Sequence, residues 1–579
     1  MDEPWFRRVW GEATALLDRS RKFGWIDLLI IVGLAGVLFA IIHLAGEWTQ
    51  EIRPTVEIDL SPWALPLYTF YSLMRGLLAY AISLLFTLLY GYWAAKDHVA
   101  ERVLIPLLDI LQSIPVLGFM PGLVLALVAA FPRSNVGLEL AAVLMIFTGQ
   151  AWNMTFSFYH SLRSVPLDQR EAAQTYRFSW WQCFKWVELP FATVGLVWNS
   201  MMSMAGGWFF LMATEAFELK KKDFRLPGLG SYMKKAADAG DIAAQFWAIG
   251  AMTVMILLLD QLVWRPILVW AQKFRVEEGG HYVAMTSWFL NWLRRSRILA
   301  ALHRGVRLFS AKRANRPPPS THTDFSRFSP AVAKFSLVLL ASLLAALTYG
   351  AWKLVEILQE VSVLQWAELV EAGFWTLGRV LLAVAVGTLW TLPAGLAIGL
   401  SPRLSRILQP VVQVVASFPA PMLFFLVIGL LSWAGVSLGW GSIVLMLLGT
   451  QWYILFNVIA GAMTIPADLR EAARSYRITG WRRFRMLYFP AVFPYLVTGW
   501  VTATGGAWNA SIVSEYVKYR GEILKTEGLG ARISDATDSD QLALLAASIL
   551  VMSTLVVVFN RTVWKRCYRL AEERFSLNK

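Results

Sequence analysis

The chain has 579 residues, of which 57% are apolar and only 16% are charged, and its formal net charge is +14. Since a soluble protein normally carries about a quarter charged residues, this composition excludes an ordinary soluble globular protein, and the positive balance is interpreted as the basic bias of cytoplasmic loops rather than as a nucleic-acid-binding surface. The two cysteines, Cys183 and Cys567, provide neither a disulfide framework nor a cysteine-based metal site.

The predicted elements begin with an N-terminal region, residues 1–27, in which Trp5–Leu17 mixes apolar and basic residues and should lie as a helix on the membrane surface. Runs that approach the about 20 apolar residues needed to cross a bilayer follow in both halves of the chain. The first run has no small-residue cleavage site, so it is interpreted as a retained helix. The clear runs are Leu28–Ala45, Leu73–Ala95, Pro190–Ala213, Phe246–Trp264, Phe335–Trp352, Val380–Leu400, Tyr495–Val513 and Leu542–Phe559.

The polar segment before the run Pro190–Ala213, residues 165–190, is predicted to form two short helices outside the membrane. Asp168 with Glu171 three residues later forms a capping-box-like start for a helix that runs through Tyr176. Ser179 with Gln182 is a second capping pair, so a second helix should begin there. A helix–turn–helix that projects into the cytoplasm has no evident role in a simple pore and suits docking to a moving partner. An ordinary connecting loop is the alternative.

The run Pro190–Ala213, which is the fifth predicted helix when two weaker helices before it are counted, holds candidates for a path through the membrane. Trp208 could line or gate such a path, and plain packing is the alternative. Glu215, at the end of this helix, is a functional candidate because ionisable groups near a membrane interior are costly. The alternative is an interfacial carboxylate paired with a nearby lysine.

A polar, basic segment, residues 267–333, separates the two halves of the chain. Its proline-rich stretch, residues 316–320, is interpreted as a semi-rigid linker. Within it, Thr286–Leu308 combines Trp and Phe with Arg, a pattern typical of a helix that lies on the inner membrane surface.

The second half of the chain repeats the first. Ser113-Ile-Pro115 recurs 304 residues later as Ser417-Phe-Pro419, and Arg170-Glu171-Ala172-Ala173 recurs 300 residues later as Arg470-Glu471-Ala472-Ala473. Further ordered matches join Arg75 to Arg379, Pro190 to Pro490, Trp208 to Trp508, Glu215 to Glu515 and Gly228-Leu229-Gly230 to Gly528-Leu529-Gly530. The chain is therefore predicted to contain two transmembrane repeats, residues 28–266 and 334–579.

Each repeat should contain about six helices, the weakest of which lie between Gly118 and Tyr159 and between Pro421 and Ile459. An even number gives both repeats the same orientation, so an axis along the membrane normal should relate them. The predicted fold is an all-α integral membrane protein with two parallel repeats and about twelve membrane helices. The repeats differ in detail: Thr479 can cap the second hairpin helix although Arg482 replaces its partner, and Asn509 beside Trp508 adds a polar contact on one side only.

The hairpin motifs resemble a known family. Arg170–Ala173 and Arg470–Ala473 look like the Glu-Ala-Ala loop of the permease subunits of binding-protein-dependent ABC importers. Trp452–Asn457, leading to Pro490 and Pro494, is similar to the nitrate/sulfonate/taurine/bicarbonate branch of that family. The resemblance covers both repeats and implies the type I ABC importer permease fold, with both halves of the translocation pathway in one polypeptide.

The resemblance also implies partners, a location and site residues. The partners would be two ATP-binding cassette ATPase subunits that bind ATP and Mg, an extracytoplasmic substrate-binding protein and the lipid of the bacterial cytoplasmic (inner) membrane. The solute would be small and anionic, similar to nitrate, sulfonate or bicarbonate. Independently of the resemblance, Lys220–Lys222 after the fifth helix would attract an anion or an acidic docking face, and a solvated loop without such a role is the alternative. The ATPase-coupling residues would be Arg170, Glu171, Ala172, Ala173, Arg177, Arg470, Glu471, Ala472, Ala473 and Arg477. The translocation path would include Trp208, Glu215, Trp508, Asn509 and Glu515.

One departure from the family pattern stands in both hairpins. The family has glycine six residues after the glutamate, where this chain has Arg177 and Arg477. Glycine suits the left-handed conformation that often ends a helix, and arginine does not. We therefore expect the turn to be built differently.

Other kinds of function find no support in the sequence. It contains no Gly-x-x-x-x-Gly-Lys-Ser/Thr motif, so the chain has no P-loop and no bound cofactor is expected. Its six histidines show no metal-ligand spacing, and no catalytic cluster indicates a membrane enzyme. An ion-coupled secondary transporter built from internal repeats is the main alternative. It would need acidic groups near the membrane midplane, and it would leave the two hairpins unexplained.

Overall fold

The computed structural model describes residues 25–49, 56–219, 222–274, 286–296, 330–519 and 521–575. Within them the chain is helical apart from two antiparallel strand pairs, Ala216–Leu219 with Lys222–Arg225 and Tyr516–Tyr519 with Glu522–Lys525. The prediction of an all-α membrane fold is confirmed, with these two short strand pairs as an addition. The predicted surface helix Trp5–Leu17 and most of the segment 267–333 lie outside the described residues.

The first half of the chain contains twelve described α-helices, which vary from single turns to long apolar helices. They are α1 (Trp25–Thr49), α2 (Leu65–Lys96), α3 (His98–Ser113), α4 (Val116–Ala130), α5 (Val136–Arg163), α6 (Leu167–Thr175), α7 (Trp180–Cys183), α8 (Leu189–Glu215), α9 (Leu229–Asp238), α10 (Ile242–Leu259), α11 (Arg265–Ala271) and α12 (Trp288–Leu293). Short π-helical turns, Phe184–Glu188 and Asp260–Trp264, precede α8 and α11.

The second half shows the same order of elements. Its helices are α13 (Pro330–Leu358), α14 (Val363–Leu400), α15 (Pro402–Ser417), α16 (Ala420–Trp433), α17 (Leu438–Met463), α18 (Ala467–Ser475), α19 (Gly480–Arg483), α20 (Phe489–Ser514), α21 (Leu529–Asp538), α22 (Leu542–Phe559) and α23 (Lys565–Phe575). Its π-helical turns, Phe484–Tyr488 and Asn560–Trp564, precede α20 and α23. Since the π turns also match, the sequence repeat is a structural repeat at the level of single helical turns.

Among the described residues, seven helices are long and apolar enough to cross a membrane, and the number rises to nine if each of two bent pairs is one span. Helices α1, α5 and α8 are also long enough, at 25, 28 and 27 residues. Helix α5 is the equivalent of α17, and α8 is the equivalent of α20. Both of these second-half helices are among the helices that are long and apolar enough to cross a membrane. Adding these three helices would give twelve, so the number of about twelve membrane helices stays a prediction.

The repeated Ser-x-Pro motif forms the break in each bent pair. Helices α3 and α4 meet at 97°, and α15 and α16 meet at 82°. Ile114 and Phe418, which precede the prolines, are extended, with ψ of 125° and 130°. A residue before proline is pushed out of the helical region, so the motif turns the chain sharply and starts a new helix.

Two compact units share the described residues. One takes in residues 25–49, 161–198, 257–274 and 286–296, and the other takes in 56–160, 199–219, 222–256, 330–519 and 521–575. The predicted repeat boundaries, 28–266 and 334–579, rest on the sequence match and remain a prediction.

Candidate transport and coupling sites

The first helix of each hairpin begins two residues earlier than the sequence indicates. Helix α6 has Pro166 at its N-cap without a side-chain cap, and Asp168 lies in its first turn. The predicted capping box of Asp168 with Glu171 is therefore wrong. The fixed φ of Pro166 and Pro466 starts both helices, and the acidic first-turn residue favours the positive end of the helix dipole instead.

Both hairpin turns are left-handed, and this corrects the expectation that arginine changes the turn. Arg177 has a φ of 49° and Arg477 a φ of 52°. In the first hairpin the N–H of Phe178 donates to the carbonyl of Ala173 at 3.0 Å, and the N–H of Arg177 donates to Gln174 at 2.9 Å. These two bonds are the Schellman pattern that normally has glycine at this position.

The second hairpin repeats this turn with the same bonds. Ile478 donates to Ala473 at 2.8 Å, and Arg477 donates to Arg474 at 2.9 Å. The alanines that end both Glu-Ala-Ala motifs are buried, at 2% exposure for Ala173 and 6% for Ala473. The turn is thus held by backbone bonds and a buried small residue, and the arginine side chains stay exposed.

The second capping pair behaves as predicted in the first hairpin only. The N–H of Gln182 donates to Ser179 Oγ at 3.4 Å, and the N–H of Ser179 donates to Gln182 Oε1 at 2.7 Å, which is a full capping box. Thr479 is the N-cap of α19, but its side chain makes no capping bond. Helix α19 therefore lacks the side-chain cap that stabilises α7.

The remaining coupling candidates divide into an anchoring residue and an exposed face. Arg170 Nη2 donates to the carbonyl of Leu162 at 2.9 Å, which ties α6 to the end of α5. Glu171, Ala172, Glu471 and Ala472 are exposed. Large exposed apolar side chains accompany them: Leu167, Tyr176, Trp180, Trp181, Tyr476 and Trp481 are each more than half exposed. Rimmed by charges, such a surface is typical of a protein–protein contact.

Glu215, a candidate for the path, lies instead in a buried cluster of polar groups. Its carboxylate accepts from Ser72 Oγ at 2.6 Å, from Arg75 Nη1 at 2.9 Å and from the N–H of Gly230 at 2.7 Å. Arg75 also pairs with Glu139, at 2.6 Å. The partner of Glu215 is thus an arginine 140 residues away and not a lysine of the following loop.

The second repeat contains the same cluster with one difference. Glu515 accepts from Thr376 Oγ1 at 3.0 Å, from Arg379 Nη1 at 3.0 Å and from the N–H of Gly530 at 2.9 Å. In place of a second carboxylate, Arg379 Nη2 donates to Thr526 Oγ1 at 3.0 Å. We call the two clusters around Glu215 and Glu515 the carboxylate anchors.

The repeated Gly-Leu-Gly motif allows the loop to approach each carboxylate. A Cβ on Gly228 would lie 2.4 Å from the Glu215 carboxyl atoms, and one on Gly528 would lie 2.2 Å from Glu515 Oε2. No side chain fits there. The motif that revealed the repeat is therefore needed for the carboxylate anchors, which tie the second apolar helix of each repeat (α2 or α14) to the end of the fifth helix and the loop after it.

A cavity of about 230 Å³ lies where equivalent positions of both repeats meet. We call it the central cavity. Trp508 and Asn509 line it, whereas Trp208, Glu215 and Glu515 do not. Pairs of lining residues that match between the repeats are Val116 with Ala420, Gly149 with Gly449, Trp152 with Trp452, Asn153 with Tyr453, Gly206 with Gly506, and Phe209 with Asn509.

Trp208 packs within its own repeat. It is 2% exposed, and a Cβ on Gly76 would lie 2.7 Å from its ring. The indole therefore fills the space that this glycine leaves on α2.

A second cavity, also about 230 Å³, lies next along the fifth helices. Met212 and Ile512 line it, together with Lys234 and Lys518. The bends separate the two cavities: Val116 lines the central cavity and Leu117 the second, and Ala420 and Pro421 divide in the same way. The repeated Ser-x-Pro motif therefore marks the level between them.

Asn509 contacts one bend directly. Its Oδ1 accepts from the N–H of Val116 at 2.7 Å, which joins α20 of the second repeat to the first residue of α4. Phe209 stands at the equivalent position of the first repeat and has no side-chain acceptor. The pair of bends is thus held unequally.

Sequence reasoning singled out Glu215 and Glu515 but missed the arginines that pair with them, and it missed Glu139. The match of Arg75 with Arg379 was available as a signal, because a repeated arginine within an apolar run needs a buried partner. Glu139 has no such signal, since the second anchor uses Thr526 instead.

Comparison with known proteins gives a family match in both halves of the chain. The model of the family described as "Binding-protein-dependent transport system inner membrane component" matches residues 67–263 and 387–564. The nitrate import permease protein NrtB of Leptolyngbya laminosa is 27% identical over 282 residues, which are 44% of this chain and 94% of that protein.

Two further relatives match over shorter stretches. The bicarbonate transport system permease protein CmpB of Synechocystis sp. is 24% identical over 200 residues, 33% of this chain and 66% of that protein. The taurine transport system permease protein TauC of Escherichia coli is 27% identical over 183 residues, 31% of this chain and 62% of that protein. NrtB, almost whole, thus corresponds to less than half of this chain. The chain therefore belongs to the family of binding-protein-dependent transport system inner membrane components, as a multi-pass membrane permease that carries the family's domain twice.

Proposed function

We propose that the chain forms both halves of the translocation pathway of an ATP-driven importer in the bacterial cytoplasmic membrane. Separate ABC ATPase subunits, which bind ATP and Mg, would seat on the two hairpins, and an extracytoplasmic binding protein would deliver the solute. The observation that carries the proposal is the central cavity, which equivalent residues of both fifth helices line. A secondary transporter would need no pair of matched docking hairpins.

The two cavities in series suit alternating access. Each is lined by both repeats, and the two bends lie between them. Rocking of one repeat against the other about this level would open one cavity as the other closes. In this proposal Trp508 and Asn509 contribute to the path, whereas Trp208, Glu215 and Glu515 hold the helices that form it.

The hairpins are placed to drive that motion. In the second repeat the chain runs from α18 and α19 through the π turn Phe484–Tyr488 directly into α20, whose residues 501–510 line the central cavity. A displacement of the hairpin would therefore reach the cavity through one covalent element.

The proposed solute is a small anion. Nitrate, bicarbonate and taurine appear in the names of the relatives. The central cavity offers neutral hydrogen-bonding groups, including Gln112, Asn153, Gln413 and Asn509, and its lining residues include no aspartate or glutamate that would repel an anion. Lys234, Lys518 and Asp538 line the second cavity, and Lys518 pairs with Asp538 at 2.9 Å, so the net positive charge of this lining would favour an anion there.

The test is transport by the full chain, purified with the ATPases that accompany it and reconstituted with the neighbouring binding protein. We expect ATP-dependent uptake of nitrate, bicarbonate or a sulfonate. Glu171→Arg with Glu471→Arg should abolish substrate-stimulated hydrolysis, and Glu356→Arg, another exposed glutamate, should leave it intact. Uptake driven by an ion gradient without ATP would contradict the proposal.

A further inference from the structure

The two hairpins have one backbone and very different charge. Their helices and turns match position by position, and Ala173 and Ala473 are both buried. Residues 166–190 contain three acidic and three basic residues, and residues 466–490 contain two acidic and six basic ones. The first hairpin is thus neutral, and the second carries a net charge of +4.

The added charge lies on the exposed side of the second hairpin. Arg474 and Arg482 are exposed, where the first hairpin has Gln174 and Gln182. Within the described residues neither arginine has a carboxylate within ion-pair distance, so no described group of the chain neutralises them. Arg474 lies in the last turn of α18, the helix that carries the Glu-Ala-Ala motif of the second hairpin.

The first hairpin has aromatic surface where the second has a turn residue. Trp180 is 51% exposed, and its equivalent is Gly480. Both hairpins expose aromatic side chains, but one is a docking surface without net charge and the other is a cationic one. A groove complementary to one would meet the other with a mismatch of several charges, and charge complementarity sets partner choice and orientation at interfaces.

We infer that the two hairpins dock on two different ATPase subunits, and that the subunit on the second hairpin has an acidic rim facing Arg474 and Arg482. This inference rests on the proposed function and adds to it the non-identity of the ATPases. Because both hairpins belong to one polypeptide, the charge difference would also fix which ATPase occupies which side. The anionic headgroups of the membrane are the competing counter-charge for the second hairpin.

The test uses the full chain in detergent with the ATPases that copurify with it, and measures subunit identity by intact mass and subunit retention against salt. We expect two ATPase species. Arg474→Gln with Arg482→Gln should weaken retention of one species about tenfold and flatten its salt dependence. Gln174→Arg with Gln182→Arg should weaken retention of the other.

A matched control is Lys565→Gln with Arg566→Gln, two exposed cations outside the hairpins, which should leave retention unchanged. A single ATPase species, or unchanged retention in the arginine variants, would overturn the inference alone. Loss of binding to vesicles of anionic lipid without loss of ATPase would assign the charge to the membrane and also overturn it. The absence of any copurifying ATPase would overturn the proposed function itself.

Discussion

At the residue scale, both hairpins hold an arginine in a backbone conformation that glycine adopts without steric cost. The left-handed region costs other residues about 1–2 kcal/mol, and Arg177 and Arg477 both occupy it. Their side chains are exposed, so packing of the side chain within the hairpin does not explain the choice. The cost is offset by the buried alanine and the two backbone bonds of each turn.

We predict that Arg477→Gly stabilises the second hairpin locally by roughly 0.5–1 kcal/mol, the left-handed cost less the entropy that glycine adds to the unfolded chain. Hydrogen exchange at the amide of Ile478, which donates to Ala473, should slow accordingly. Arg474→Gly, at a helical position in the same turn, should speed exchange instead. Equal changes in both variants would refute this account of the turn.

The carboxylate anchors predict an order of stability among three conservative variants. Arg75→Gln leaves Glu139 and Glu215 buried without a cation and should cost about 3–5 kcal/mol. Glu515→Gln leaves Arg379, whose side chain is 12% exposed, without its carboxylate. Glu215→Gln should be mildest, because Arg75 keeps Glu139. Unfolding midpoints in detergent measure the order, and a larger loss for Glu215→Gln than for Glu515→Gln would contradict it.

At the scale of elements, the π turns mark where helices can adjust. They stand before both fifth helices and at the end of both sixth helices, at matched positions. Single π turns inside helices occur frequently at functional sites, since the extra residue loosens the regular hydrogen-bond ladder. A hinge between each hairpin and the helix that lines the cavity would let the hairpin tilt without breaking α8 or α20.

Asn509 offers a prediction that separates stability from transport. Asn509→Leu removes the acceptor of the buried Val116 N–H and should cost about 1–3 kcal/mol. Asn509→Asp keeps the acceptor, and therefore much of the stability, but places a negative charge on the lining of the central cavity. In the aspartate variant we expect anion uptake to fall strongly while the unfolding midpoint stays close to that of the unmodified chain. Uptake at the unmodified level in the aspartate variant would exclude Asn509 from the path.

At the scale of the whole molecule, duplication gives two halves that share an architecture and differ in their sites. The carboxylate anchors, the bends and the hairpin turns recur in both halves, with Thr526 in place of Glu139 in the second anchor. The differences concentrate where the halves meet other groups: Phe209 against Asn509 in the central cavity, and Gln174 against Arg474 on the hairpins. Fusion permits this divergence, because each half always meets the same partner half.

The predicted topology places both hairpins on the cytoplasmic side, since both must reach the same ATPase pair. In a background of Cys183→Ala and Cys567→Ser, cysteine at position 174 or 474, both exposed, should react with an impermeant thiol reagent in inverted vesicles only. A cysteine at exposed Glu360, at the end of α13, is the control for the opposite side. Labelling of positions 174 and 474 from opposite sides would contradict the parallel repeat.

The sequence by itself determined the class of the protein, its repeat and its local devices. The apolar runs and the Ser179–Gln182 capping box depend on residues close together in the chain, so a pattern of neighbours suffices to predict them. The repeat strengthened the prediction of the membrane helices and of the hairpins, because two copies contain the same elements.

Only the tertiary structure decided what the isolated candidates do. The partner of Glu215 lies 140 residues away and that of Glu515 lies 136 residues away, and no local pattern specifies a contact of that range. Trp208 and Trp508 are equivalent in the sequence and both almost fully buried, at 2% and 1% exposure, yet only Trp508 borders the central cavity. The left-handed arginines depend on a sum of turn bonds and buried contacts that outweighs the intrinsic preference of one residue. Packing between segments that are distant in the chain set these outcomes, and such contacts exist only once the chain has folded, so local sequence patterns do not predict them.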